Sequence, residues 1–100
     1  MTNYLVTRHA GTQEWIRRQG LDIHQYVDHL DIDEIREGDQ VFGTLPVNLA
    51  AEVCALGGRY FHLSLVVPRS LRGVEISADE MEALGPSLEE YVVAKPVRSE

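Results

Sequence analysis

The chain carries one cysteine, Cys54, in 100 residues, so it can form no internal disulfide, and no apolar run approaches the 18 residues of a membrane-spanning helix. Lysine is equally scarce. Eight of the nine Lys and Arg residues are arginines (Arg8, Arg17, Arg18, Arg36, Arg59, Arg69, Arg72 and Arg98), and Lys95 is the one lysine. Against 16 acidic residues these leave a formal net charge of -7, which excludes the broadly basic surface that binds long nucleic acid without specificity. Any phosphate recognition must be local. Arginine's planar fork suits bidentate phosphate contact, although an arginine-rich choice also follows from genomic base composition alone. Neither Gly-x-Gly-x-x-Gly nor Gly-x-x-x-x-Gly-Lys occurs, so the dinucleotide and nucleoside-triphosphate fingerprints are missing. No cofactor and no metal are expected. No charged-then-apolar leader, internal repeat, low-complexity tract or linker is visible. A soluble cytoplasmic protein with a single domain over residues 1–100 is the expectation, its 44% hydrophobic content being enough for one core.

Short apolar runs alternate with helical patterns. Residues 3 to 8 read as a first strand around Tyr4-Leu5-Val6, and Thr12 to Gln19 as a helix with Trp15 and Ile16 inward, stopped by Gly20. Residues 22 to 30 read as a second strand carrying Ile23, Tyr26, Val27 and Leu30. The acidic stretch Asp31 to Asp39 follows, as a turn or one helical turn around Ile32 and Ile35, and Val41-Phe42 makes a very short third strand. Gly43-Thr44-Leu45-Pro46 then breaks the chain before a helix from Val47 to Leu56, which Gly57-Gly58 ends. The clearest strand is Tyr60 to Val67, bounded by Gly58 and Pro68; its nearly continuous apolar run suits cover on both faces. Ser77 is placed to cap a helix from Ala78 to Leu84, with Glu80 at the capping-box position. Leu88 to Ala94 reads as either strand or helix, and Val97 to Glu100 as a frayed tail. The alternation predicts an α/β fold: a small Rossmann-like, mostly parallel sheet with helices on both faces.

In such sheets ligands bind beyond the carboxyl ends of the strands. The first strand delivers Thr7, Arg8 and His9 with Gly11 just after them. The third delivers Gly43, Thr44 and, across the turn, Asn48, and the strand ending at Val67 delivers Arg69 and Arg72. Together they point to a pocket where guanidinium forks and helix-terminal N–H groups hold phosphate and His9 moves a proton near neutral pH. Taken singly, Arg69 and Arg72 read as solvated loop residues and Thr44 as a helix cap; it is their convergence that favours the pocket. His62, between Phe61 and Leu63, reads as a hydrogen-bonded core histidine, and His24 and His29, five apart on the expected strand, face opposite sides. Asp28, Asp31, Asp33 and Glu34 lack the glycine and spacing of a calcium loop and read as a solvated acidic loop. Cys54, among Ala50, Ala51, Val53 and Leu56, reads as a small core residue.

Arg8-His9 after a first strand superficially resembles the Arg-His-Gly of histidine phosphatases, but Ala10 precedes Gly11 and the chain is far shorter than that family's domain. A closer match covers nearly the whole chain: Tyr4-Leu5-Val6-Thr7-Arg8-His9-x-Gly11, Gly43-Thr44-Leu45-Pro46-Val47 with Ala50, Leu63-x-Leu65 with Pro68, and Leu71-Arg72-Gly73-x-Glu75-Ile76-Ser77. This pattern resembles a small accessory protein family of type III CRISPR systems regarded as ring nucleases, with a CARF-like sheet. The resemblance implies a cyclic oligoadenylate ligand, foremost the four-membered ring. It also implies metal-independent cleavage by the ribose 2′-hydroxyl to linear products ending in a 2′,3′-cyclic phosphate. On that footing Arg8 and Arg72 neutralise charge on the phosphorane, and His9 is general acid or base. Thr7, Thr44 and Asn48, with Gly11, Gly43 and Arg69 around them, hold phosphate or ribose. A symmetric ring further implies a homodimer with the pocket at the subunit junction. The same residues also suit a sponge that binds the ring without cleaving it.

Overall fold

The computed structural model describes residues 1–97. Its frame is a five-stranded sheet in the order β2-β1-β3-β4-β5, built from β1 (Asn3–Val6), β2 (Gln25–Val27), β3 (Gln40–Gly43), β4 (Arg59–Ser64) and β5 (Ser87–Tyr91). The first four strands are parallel and β5 lies antiparallel against β4 on the edge. Three helices accompany them: α1 (Ala10–Arg18), α2 (Val47–Ala55) and α3 (Ala78–Ala83), with single 3₁₀ turns at Ile32–Glu34 and Arg69–Leu71. The α/β class and the mostly parallel sheet are those expected. The ambiguous segment Leu88 to Ala94 is strand as far as Tyr91, and residues 92–94 lie beyond it.

The central strands carry apolar residues toward both sides because each face of the sheet has its own core. Tyr4, Val41 and Tyr60 point to one side, where Ala50 and Val53 of α2 and Ile35 pack on them. Leu5, Phe42 and Leu63 point to the other, beneath Trp15 and Ile16 of α1 and Ala78 and Met81 of α3. Phe42 and Phe61 stack across β3 and β4 with ring centroids 4.7 Å apart. The α1 and α3 helices are tied together by Trp15 Nε1–H donating to Glu82 at 2.6 Å and Arg18 donating to Asp79 at 2.6 Å. Cys54 is partly buried on α2, its Sγ accepting the Val93 N–H at 3.5 Å.

Several boundaries move, each for want of a partner. β4 stops at Ser64 rather than Val67, because β5 begins opposite Ser64 and β3 ends opposite His62; Val66 beyond them is exposed. β1 stops at Val6 rather than residue 8, since β3 ends at the paired Gly43, and only Thr7 N–H continues the ladder, to Val27 O. β2 is confined to three residues of the expected nine: as an edge strand it has only β1 to pair with. Asp28, Asp31, Asp33 and Glu34 are exposed, as a solvated acidic loop requires, whereas Asp39 at the end of the stretch is buried and accepts the N–H groups of Thr2 and Arg36 at 2.8 and 2.9 Å. Val97 is exposed; the rest of the expected frayed tail, 98–100, lies outside the described residues.

Candidate functional site

The strand order reverses between β1 and β3, since β1 leads through α1 to β2 on one side while β3 and β4 extend the sheet on the other. Loops leaving two such neighbours diverge to opposite faces and open a crevice between them. A cavity of about 560 Å³ occupies this position. Thr7, Arg8, His9 and Thr12 line it after β1, Gly43, Thr44, Leu45 and Pro46 after β3, and Asp28 and His29 after β2.

Two helices begin at its rim. His9 is the N-cap of α1 and Pro46 that of α2; neither helix has a side-chain cap bond or an acidic residue in its first turn. α3, away from the cavity, has both: Ser77 Oγ accepts from Glu80 N–H, Glu80 Oε1 accepts from Ser77 N–H, and Asp79 and Glu80 occupy the first turn. An anion in the cavity would meet the unpaired N–H groups and positive dipole ends that α3 satisfies internally.

The side chains sort by what already holds them. Arg17, Arg18 and Arg59 pair with carboxylates, and Arg36 and Arg72 donate to backbone carbonyls, Arg72 Nε to Val67 O at 3.2 Å. Arg8 has no such partner among the described residues, and it is the arginine that lines the cavity. Thr7 Oγ1 accepts the His9 N–H at 3.1 Å, which leaves its hydroxyl proton available to an anion. Thr44 is the opposite case: its hydroxyl donates to Leu63 O at 2.8 Å and pins the turn after β3. His9 Nδ1 stands 3.5 Å from Glu75 Oε2, brought over by the segment that precedes α3.

The loop Gly43–Leu45 is held from beneath by Tyr60. Its buried hydroxyl accepts the Leu45 N–H at 2.8 Å, lies 3.3 Å from Gly43 O and 2.6 Å from His62 Nδ1. Burial pushes the phenol's pKa above its ordinary value, and the Leu45 N–H bond partly opposes that shift. His62 is thus the hydrogen-bonded histidine expected of it. His24 is also structural, its Nδ1 accepting the Asn3 N–H at 2.8 Å.

Four of the expected site residues do not line this cavity. Gly11 is buried inside α1, where a Cβ would stand 1.9 Å from Ile76 O, so close backbone packing already accounts for it. Asn48 is exposed on the first turn of α2, and Arg69 and Arg72 lie on the exposed 3₁₀ segment rather than at a strand end. Gly43, by contrast, lines the cavity and needs to be glycine: φ is 153° and a Cβ would lie 2.7 Å from Val6 O. Sequence reasoning missed Thr12, Asp28 and His29. The polar pair Asp28-His29 directly after Tyr26-Val27 was the available signal, because a strand beside β1 opens on the same edge.

Fold and site define a small doubly wound α/β protein with an anion-suited cavity at its switch point. The chain belongs to the family described as "Putative CRISPR-associated protein (Cas_VVA1548)", whose model matches residues 4–94. No curated protein and no solved structure matches it.

Proposed function

We propose that this CRISPR-associated protein is a ring nuclease of type III systems, which binds cyclic oligoadenylate, foremost the four-membered ring, and cleaves it. The observation that carries the reading is a cavity with two uncapped helix N-termini, an unengaged Arg8, the Thr7 hydroxyl and an imidazole at one rim. Phosphodiester recognition asks for these groups. Cleavage by the ribose 2′-hydroxyl needs three things: in-line placement of O2′, neutralisation of charge on the phosphorane, and proton transfer. Helix N-termini and Thr7 place the phosphate, Arg8 neutralises it, and His9 serves as general acid or base. Arg72, Arg69 and Asn48 lie outside the cavity, and their roles in the proposal are limited to the outer parts of a ring larger than the cavity. The products are linear oligoadenylates with a 2′,3′-cyclic phosphate and a 5′-hydroxyl, and their formation removes the signal that the ring carries.

Incubation of the purified protein with cyclic tetra-adenylate in excess chelator, followed by chromatography, tests this directly. Linear products are expected, and Arg8→Ala is expected to lower turnover by about 10²-fold or more, the scale on which a preorganised charge donor acts. Tight binding with the ring intact after hours would replace the nuclease by the sponge. Release of inorganic phosphate from terminal monoesters, with no action on rings, would favour a phosphatase instead.

A further inference from the structure

Transfer of phosphorus from O5′ to O2′ moves two protons, and His9 attends to one of them. As the O2′–P bond forms, the 2′-hydroxyl gives its proton to a base; as the P–O5′ bond breaks, the leaving oxygen takes a proton from an acid. The in-line geometry puts these events on opposite sides of phosphorus, so a single imidazole attends one of them well.

We propose that His29 is the second catalytic residue of the cavity, the acid that protonates the leaving 5′-oxygen, with His9 as the base at the 2′-oxygen. This rests on the ring-nuclease reading above. Of the four histidines, His24 and His62 use ring nitrogens to hold the fold, whereas His9 and His29 both line the cavity. They come from neighbouring parallel strands. The pairing Val6↔Val27, extended by Thr7 N–H to Val27 O, brings both chains out at the same sheet edge, where Arg8 and His9 after β1 and His29 after β2 line one cavity. Arg8 shares the cavity with both imidazoles and is next in the chain to one of them, the position for a charge that neutralises phosphorus between them. His29 has no hydrogen bond or ion pair among the described residues, so its ring is free to meet a ligand.

The division of labour follows from the neighbours. Glu75 beside His9 Nδ1 favours the tautomer with hydrogen on that nitrogen, which leaves the Nε2 lone pair to accept a proton. His29 has no such carboxylate partner and takes the opposite side of phosphorus, as the acid. The charged groups facing the two rings are Arg8 from the β1 end, Asp28 from the β2 end and Glu75 from the segment before α3. After each turnover His9 holds a proton and His29 lacks one, and exchange with water restores both.

The test compares two substrates and three proteins. On ordinary cyclic tetra-adenylate the unaltered chain is expected to show a bell-shaped pH–rate profile. His29→Ala is expected to lose roughly 10²- to 10⁴-fold in turnover and to lose the fall at high pH, which reports deprotonation of the acid. On a ring whose bridging 5′-oxygens are replaced by sulfur, the leaving thiolate needs no proton. His29→Ala should then regain most of its rate while His9→Ala stays slow. An equal loss on both substrates with the bell intact would make His29 structural and overturn its catalytic role, as would a His29→Ala rate within a few-fold of the unaltered chain. If the unaltered chain binds the ring and cleaves neither substrate, the nuclease reading falls and the role of His29 falls with it.

Discussion

Tyr60 shows what a single buried hydroxyl contributes to a loop on the far side of the sheet's edge. It accepts the Leu45 N–H, and that loop supplies Gly43, Thr44 and Leu45 to the cavity wall. Replacement by phenylalanine leaves a buried N–H unpaired, so Tyr60→Phe is expected to lose about 1–3 kcal/mol at neutral pH. The same residue sets an alkaline limit. Its pKa is raised by burial in the folded chain, so the unfolded chain ionises first. The stability it contributes is complete below a pH of about 10 and declines as pH rises through and beyond that value. Urea midpoints from pH 7 to 11 should fall less steeply in Tyr60→Phe, with the remainder carried by Tyr4, whose pKa burial also raises. Equal slopes would remove Tyr60 from the account. At this scale the sequence was legible where a residue's role is local: Thr7, Arg8, His9, Gly43 and Thr44 all reach the cavity as expected of them. It was illegible where the role depends on a distant neighbour. Gly11 reads as a ligand-facing glycine until Ile76 is packed against it, and His29 reads as a strand residue until β2 is seen to end at Val27.

Among the elements, α3 links the two themes of fold and site. It is six residues long, and a helix of that length owes little to propensity. Its capping box and its ties from Glu82 to Trp15 and from Asp79 to Arg18 supply what length does not. Its entry segment also carries Glu75 to His9. Ser77→Ala is expected to cost about 1 kcal/mol and Ser77→Asn much less. In a chain of this size the alanine change should lower the melting midpoint by roughly 4–8 °C. Thermal denaturation followed at the Trp15 indole checks it, and equal midpoints for Ala and Asn would count against the cap. The capping box could be read in advance because Ser77 and Glu80 are three residues apart. Strand ends could not be, because pairing decides them: Leu65, Val66 and Val67 have the composition of β4 and no strand beside them.

For the whole molecule the decisive quantity is size. A cavity of about 560 Å³ is the scale of a site for one drug-sized ligand and is smaller than a four-nucleotide ring. A ring with repeated phosphates is matched by two such cavities across a two-fold axis, each presenting an Arg8, a His9 and two helix N-termini. Binding is therefore expected at one ring per two chains. Net charge sets the salt response expected of the proposed complex. Two chains of formal charge -7 repel, so their association without ligand should strengthen as salt screens them, while Arg8-dependent attraction to phosphate should weaken. Sedimentation of the free chain and calorimetry with the uncleaved ring, each at about 0.05 and 0.5 M salt, should show these opposite trends. The ring itself, by bridging the Arg8 side chains of two chains, should drive monomers into dimers. A stoichiometry of one ring per chain, or a monomeric mass both with and without the ring, would place the whole ligand on one subunit and require a surface wider than the switch-point cavity.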